Sequence, residues 1–178
     1  MAIEYIDIIV NDFKIPFLTA GPALLIGIIL VFGICWIYRK HNKVMMAPVQ
    51  VALFIAYCII IFQTAFFSRE PGSRDSISLI LFETWGNNFQ SHMFFIENII
   101  MFIPFGVLVP MLINRCRNAF TCLIAGFLAS CFLESAQLIT QRGYFQLDDI
   151  LTNSLGTIVG WLMWNHFIRK NTKHKENE

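Results

Sequence analysis

Long apolar runs are the feature that most constrains the fold of this chain. Five runs of about twenty residues recur along it, and each is long enough to cross a hydrocarbon core of about 30 Å as an α-helix. They are predicted at residues 17–38, 47–67, 93–113, 119–140 and 148–168. The chain is 56% hydrophobic and 14% charged, whereas soluble domains are nearer ~45–50% and ~25%. The sequence therefore predicts an all-α membrane protein with one polytopic domain at residues 17–168.

Three further segments are predicted to lie at or beyond the membrane surface. Residues 1–16 contain a stretch that alternates apolar and polar side chains at helical period, which is typical of a short amphipathic helix in the interface. Residues 77–85 are apolar but too short to cross, so they are predicted to form an interfacial or re-entrant piece. The polar residues 169–178 are predicted to form a disordered cytoplasmic tail.

The distribution of Lys and Arg predicts the orientation of the spans. Nine of the 13 basic residues fall in the segments on one side of the predicted membrane, and four fall on the other side. Because cytoplasmic loops carry the excess of positive charge, the N-terminus is predicted outside and the C-terminus in the cytoplasm. The protein is thus predicted to be a multi-pass protein of the cell membrane.

Polar side chains inside the spans gather toward the end of each helix that this topology places outside. Ionisable groups at membrane depth are costly, and they mark functional sites more often than not. This predicted polar cluster comprises Arg69, Glu97, Asn98, Glu134, Gln137, Arg142, Asp148, Asp149 and Asn153. Unrelated substitutions would have scattered such groups over both leaflets, so the cluster is predicted to form a ligand-binding or otherwise functional site.

Helical spacing predicts which of these residues share a face. Two sets of polar and small residues recur every three or four positions, the spacing of one helix face. The set on the fourth span is Gly126, Ser130, Glu134 and Gln137. The set on the fifth span is Asp149, Asn153, Gly156 and Gly160. These faces are predicted to point toward Glu97 and Asn98 on the third span.

Glycine and proline residues supply a predicted structural motif around this cluster. Gly156 and Gly160 are spaced as in the small-residue patterns that let membrane helices approach closely. Pro104, beside Gly106 on the third span, cannot donate to the carbonyl of Ile100. A kink there would open the mouth of a pocket toward the outside.

Structural explanations for the same residues stay open at this point. Asp148 or Asp149 would cap the fifth span, and Asn153 with Gly156 would serve only helix packing. The third span would then simply bend at its proline, without any moving hinge.

The charges of the cluster are also consistent with either a structural or a functional role. Glu134 would be neutralised by Arg142 or Arg69 in a structural ion pair. The remaining excess of carboxylates would instead hold protons, bind a hard cation or hydrogen-bond a polar lipid headgroup.

Composition and motifs argue against several functional classes. A net charge of +1 provides no basic field for nucleic acid. The five cysteines form no CxxC pair and the four histidines lie apart, so neither a metal nor a cofactor is expected. No Ser-His-Asp, GxSxG, HExxH, P-loop or GxGxxG pattern occurs. Enzymatic activity is therefore not favoured, and no catalytic residue is assigned.

A resemblance to the VanZ-like family rests on two motif blocks. The first is the N-x-x-x-F-I-P-F-G signature, which lies within residues 97–106 (ENIIMFIPFG). The second is E-x-x-Q followed by D-D-I/V-x-x-N-x-x-G, which lies within residues 134–156, with Arg142 between its halves. Phe67-Ser68-Arg69 also resembles the end of that family's second span. The similarity covers residues 51–161.

The resemblance implies a small polytopic protein of the bacterial cell envelope. The founding member of the family is associated with low-level resistance to teicoplanin, a lipoglycopeptide, without resynthesis of the cell-wall precursor. The resemblance assigns no catalytic roles. It suggests that the outward-facing polar cluster lines a pocket for a membrane lipid, a lipid-linked cell-wall component or an amphiphilic drug. The alternatives are a membrane enzyme that acts on a lipid-linked substrate with paired carboxylates, and a proton-coupled carrier.

Overall fold

In the computed structural model, the chain forms two compact units, residues 1–70 and 71–178. The structure describes residues 14, 18–35, 48–67, 72, 77–81 and 89–168. The predicted amphipathic helix in residues 1–16 (apart from Lys14), the tail at residues 169–178 and Arg69 lie outside the described residues.

The first unit contributes two apolar helices, α1 (Leu18–Cys35) and α2 (Pro48–Phe62). A single π-helical turn, Gln63–Phe67, continues α2. The two helices approach closely at Gly27. A Cβ at this position would lie only 2.6 Å from the carbonyl oxygen of Ala52, so a larger residue would not fit without a shift of the backbone. Most large apolar side chains of α1 are exposed, as expected for a helix that faces lipid.

The second unit contains three helices, α3 (Phe89–Leu112), α4 (Ala119–Ile139) and α5 (Leu147–Met163). Helix α3 continues without interruption through Pro104 and Pro110. A 3₁₀ turn, Asn114–Arg117, joins α3 to α4. A π-helical turn, Trp164–Ile168, continues α5.

The start of α4 has a well-formed cap. The side chain of Asn118 accepts hydrogen bonds from the backbone N–H groups of Phe120 (2.9 Å) and Thr121 (3.3 Å). Two of the first four amides of α4, which lack partners within the helix, are thereby satisfied. The turn and its cap fix the connection at the end of α3 and α4 opposite to the polar cluster.

A pair of two-residue strands lies at the other end of the unit. Strand β1 (Ile77–Ser78) runs parallel to β2 (Phe145–Gln146), and the N–H of Gly72 donates to the carbonyl of Gln141 over 3.0 Å. The segment that precedes α3 is thus fastened to the crossing between α4 and α5. The sequence predicted an interfacial or re-entrant piece at residues 77–85, and the described part of it, residues 77–81, begins with this strand.

Four helices among the described residues are long and apolar enough to span a membrane. They are Leu18–Cys35, Pro48–Phe66, His92–Leu112 and Ala119–Ile139. The chain is therefore an all-α, multi-pass membrane protein apart from its short strand pair. Helix α5 has only 17 regular residues and is the most polar helix of its unit, so a fifth span at residues 148–168 stays a prediction.

Candidate functional site

Helix α5 organises the second unit, because it packs against both α3 and α4 while α3 and α4 contact each other little. Its buried residues are mostly polar or small. They are Asp148, Ile150, Thr152, Asn153, Ser154, Gly156, Thr157 and Gly160. A membrane helix turns such residues toward other helices, where backbone and side-chain partners replace water.

The α3–α5 contact is a direct approach of two backbones. A Cβ on Gly156 would collide with the carbonyl oxygen of Ile99, and one on Gly160 would collide with that of Ile103. In the opposite direction, a Cβ on Gly106 would collide with the carbonyl oxygen of Thr157. The three glycines that the sequence grouped into a structural motif therefore lie in one interface, where no larger residue fits without moving a helix.

A polar link joins the same two helices nearer the start of α5. Asn98 Nδ2 on α3 donates to Asp149 Oδ1 on α5 over 2.8 Å. A hydrogen bond to a charged acceptor is stronger than a neutral one, and more so where water is excluded. Glu97, beside Asn98, is half-buried and its Oε1 is fully covered. Asn98 and Asp149 were both predicted for the cluster, and the structure places them in contact.

The α4–α5 contact carries a second polar link one turn deeper. Asn153 Nδ2 on α5 donates to Ser130 Oγ on α4 over 2.8 Å. One turn further along, a Cβ on Gly126 would collide with the side chain of Thr157. Asn153 is 1% exposed, and its Oδ1 has no hydrogen-bond partner among the described residues.

The crossing between α4 and α5 closes this end of the unit. The backbone N–H of Gln146 donates to Glu134 Oε2 over 3.3 Å. The backbone N–H of Arg142 donates to the carbonyl of Gln137 over 2.9 Å. Both Glu134 and Gln137 are buried at 4% exposure, although they lie in the last two turns of α4. The crossing therefore folds over the acid at the end of α4.

The two aspartates do not cap α5 as the structural alternative supposed. Gln146 occupies the N-cap position and makes no side-chain capping bond. Asp148 and Asp149 lie inside the first turn, where the helix dipole favours negative charge. Asp148 is 3% exposed and Asp149 is half-buried, so the first turn brings one fully enclosed carboxylate into the unit.

The described members of the predicted cluster therefore fall at one end of the second unit. The cluster involves the first half of α3, the last turns of α4, the crossing and the first turns of α5. Every carboxylate among the described residues belongs to it, namely Glu97, Glu134, Asp148 and Asp149. Arg142 lies in the crossing at the same end, while Arg69 is outside the described residues. No group of three His, Cys, Asp or Glu side chains in the described part is arranged to hold a metal ion.

Three hydroxyl residues on α5 were not among the predicted cluster residues. Thr152, Ser154 and Thr157 are buried, and each donates to the carbonyl one turn earlier, at 3.0, 2.7 and 3.0 Å. Such bonds let a hydroxyl sit in an apolar helix without an external partner. The sequence signal was the density of Thr, Asn and Ser between residues 152 and 157, which no other span shares.

Comparison with protein families identifies the family of this chain. The profile of the VanZ/LLP1 family covers residues 51–169, which is more than half of the chain. The chain belongs to the VanZ/LLP1 family. No curated protein and no solved structure matches it. The VanZ/LLP1 region contains α3, α4 and α5 with the whole polar cluster, whereas α1 precedes it.

Proposed function

We propose that this VanZ-type membrane protein binds the polar headgroup of an envelope amphiphile at its polar cluster and contributes in this way to teicoplanin resistance. One observation carries the proposal. Two carboxyl side chains, Glu134 and Asp148, are enclosed at 4% and 3% exposure at the end of α4 and the start of α5. Helix ends of this kind lie at the depth of lipid headgroups, where a polar ligand meets the protein.

Helix assembly alone does not account for these groups. The glycine contacts of Gly106, Gly156 and Gly160 already bring α3 and α5 to backbone contact. Removing carboxylates from water costs several kcal/mol per ion, and apolar packing of the same volume stabilises a fold at least as well. The proposal therefore gives these acids a ligand-binding role in addition to their structural contacts, such as the hydrogen bond that Glu134 accepts from Gln146.

Charge placement supports an outward-facing site. The acids lie at one end of the second unit, and Arg115 and Arg117 lie in the turn at the other end. Because positive residues favour the cytoplasmic side, the acidic end is assigned to the outside. A headgroup of the outer leaflet or an extracellular lipoglycopeptide would then reach the cluster directly.

Drug susceptibility tests the proposal. A teicoplanin-sensitive host receives wild-type protein, Glu134→Gln or Asp149→Asn, and membrane-fraction immunoblots confirm equal amounts. Wild-type protein should raise the inhibitory concentration of teicoplanin more than that of vancomycin, and each variant should lose the increase. Arg115→Gln, which removes a charge at the opposite end, should retain it. Wild-type protection that survives in both cluster variants contradicts the proposal.

A further inference from the structure

The turn between α3 and α4 presents two guanidinium groups at the end of the second unit opposite to the polar cluster. Arg115 and Arg117 are both exposed, whereas Cys116 between them is buried. A 3₁₀ helix has three residues per turn, so a buried middle residue leaves its two neighbours on the outer side. Both arginines are therefore available to a partner outside the helices.

The backbone of this turn is fixed by hydrogen bonds within the unit. The N–H of Cys116 donates to the carbonyl of Ile113 over 2.9 Å. The indole N–H of Trp161 on α5 donates to the carbonyl of Arg117 over 3.3 Å, and the cap formed by Asn118 follows at once. A ligand that binds both arginines would not have to order this backbone, which is a cost that otherwise weakens binding.

The two positive charges lie far from the acidic groups of their unit. The described carboxylates are at the other end, and Glu134 lies about 25 Å from Arg117 along α4 at 1.5 Å per residue. Exposed charges at such a distance are largely screened from each other. The positive end of the α4 dipole is also at this turn and favours negative charge. The turn therefore suits an anionic partner.

Apolar side chains beside the turn indicate that this partner is a lipid. Ile113 precedes the turn and Phe120 follows it, and both are exposed. Ile124 and Leu128 continue from Phe120 at helical spacing and are exposed as well. This apolar stripe begins beside the arginines and runs along α4, where acyl chains surround a membrane helix. A water-soluble phosphate would meet only the arginines, whereas a phospholipid would contact both features.

We propose that the basic turn, Asn114–Arg117, binds the phosphodiester headgroup of an anionic phospholipid. Arg115 and Arg117 donate to the phosphate oxygens, and the acyl chains lie along the stripe that begins with Phe120. Arginine suits this role because its planar group donates two parallel hydrogen bonds to a phosphate, whereas lysine acts as a point charge. The site is separate from the polar cluster and does not depend on the headgroup binding proposed there.

Titration of purified full-length protein in maltoside micelles tests the proposal. Phosphatidylglycerol and phosphatidylcholine with the same dioctanoyl chains are added separately, as is glycerol phosphate without chains, and the thermal-unfolding midpoint is recorded. A ligand that binds the folded state raises the midpoint. Phosphatidylglycerol should raise it most, because the quaternary amine of phosphatidylcholine offsets the charge of its phosphate. Glycerol phosphate should leave the midpoint unchanged.

Variants locate the binding at the turn. Arg115→Gln and Arg117→Gln should each weaken the apparent Kd for phosphatidylglycerol about fivefold, the effect of one positive charge near an anionic surface. Arg117→Lys keeps the charge and should lose less affinity than Arg117→Gln. Asn114→Ala changes an exposed, uncharged residue of the same turn, so it is the matched control and should bind like wild type.

Three results would overturn the proposal. Unchanged affinity for phosphatidylglycerol in every glutamine variant that folds would remove the site from the turn, and either variant alone decides this. Equal affinity of wild-type protein for the two phospholipids would contradict recognition of negative charge. A shift with glycerol phosphate equal to that with phosphatidylglycerol would assign the turn to a soluble phosphate. The polar cluster is tested separately by Glu134→Gln and Asp149→Asn.

Discussion

Asn98 on α3 and Asp149 on α5 are 51 positions apart in the sequence, and a 2.8 Å hydrogen bond joins their side chains. On α5, Asp149 precedes Gly160 by about three turns, and on α3, Asn98 precedes its contact partner Ile103 by about one and a half turns. The two helices are therefore held at one level by a polar group pair and at another by backbone contact. The polar pair belongs to the predicted polar cluster, so substitutions in the cluster should act directly on the α3–α5 interface.

A double-mutant cycle measures this bond. Asn98→Leu removes the donor from a carboxylate at low dielectric and should lower the free energy of unfolding by about 1.5–3 kcal/mol. The double variant Asn98→Leu/Asp149→Leu should recover part of that loss, because no unpaired charge remains. Unfolding in mixed micelles with increasing dodecyl sulfate gives the four free energies. Strictly additive effects would show that the two side chains are not coupled.

The glycine interface predicts that one added methyl group changes the stability of the protein very differently at different positions. Gly156→Ala places a Cβ against the carbonyl oxygen of Ile99 and should destabilise the protein by about 1–3 kcal/mol, since backbone must move. Gly33→Ala on α1 is the matched control, because its Cβ meets no described atom within 4 Å. That change should be neutral or slightly stabilising, since alanine favours helix over glycine. Similar unfolding midpoints for the two variants would contradict the close contact of Gly156 with Ile99.

Ser130 on α4 takes part in a hydrogen bond between helices, whereas Ser154 on α5 takes part in one within its own helix, so substitutions of the two serines can be compared. Ser130→Ala removes the partner of Asn153 Nδ2 and should cost about 1–3 kcal/mol. Ser154→Ala removes a hydroxyl whose one hydrogen bond within the described part of the chain goes to the carbonyl of Ile150, and its cost should be small. Thermal unfolding of both variants in the same detergent is the measurement. A larger loss for Ser154→Ala would reverse the assignment.

Orientation is open to direct labelling. In a cysteine-free background, Tyr144→Cys in the crossing should react with a membrane-impermeant maleimide on intact cells. Asn114→Cys, in the turn at the other end, should react only after the membrane is permeabilised. The native Cys116 would not serve for this purpose, because burial raises the pKa of its thiol and lowers the reactive thiolate fraction. The opposite labelling pattern would place the acids in the cytoplasm.

The residues after β1 predict contact with lipid. Leu79 and Ile80 are 64% and 66% exposed, although both are large and apolar. The strand β1 that precedes them is fastened to the crossing, so they should insert into the headgroup region beside the cluster. A tryptophan introduced as Ile80→Trp should be quenched by lipids brominated near the headgroup. Because the four native tryptophans also emit, the comparison is with unsubstituted protein and with Asn114→Trp, and the excess quenching should appear only with Ile80→Trp.

Periodicity predicted the composition of single helix faces well. Gly126, Ser130, Glu134 and Gln137 were grouped by spacing alone, and all four are buried on α4. Helical period fixes the positions of residues around their own axis, and burial follows when that face is the polar one in an apolar environment. Grouping of this kind needs no knowledge of the partner helix.

Periodicity does not show which neighbouring helix a residue will contact. Asp149 and Asn153 are one turn apart on α5, yet Asp149 bonds to α3 and Asn153 bonds to α4. Since α5 lies between two helices, one stripe borders both of them, and small differences in side-chain direction decide the partner. The strand pair was missed for a different reason. Two residues in each strand are too few to show the alternation that marks a strand.

Burial of the polar face of α5 has a consequence for biogenesis. Its hydroxyls, Asn153 and first-turn acids make α5 a poor segment for partitioning into lipid alone, while α3 and α4 satisfy it once they are present. Helix α5 is synthesised after α3 and α4, and it depends on contacts with both of them to bury its polar face. Chains truncated before α5 would lack Asp148, Asp149 and Asn153 of the polar cluster and would leave the facing surfaces of α3 and α4 without their partner helix.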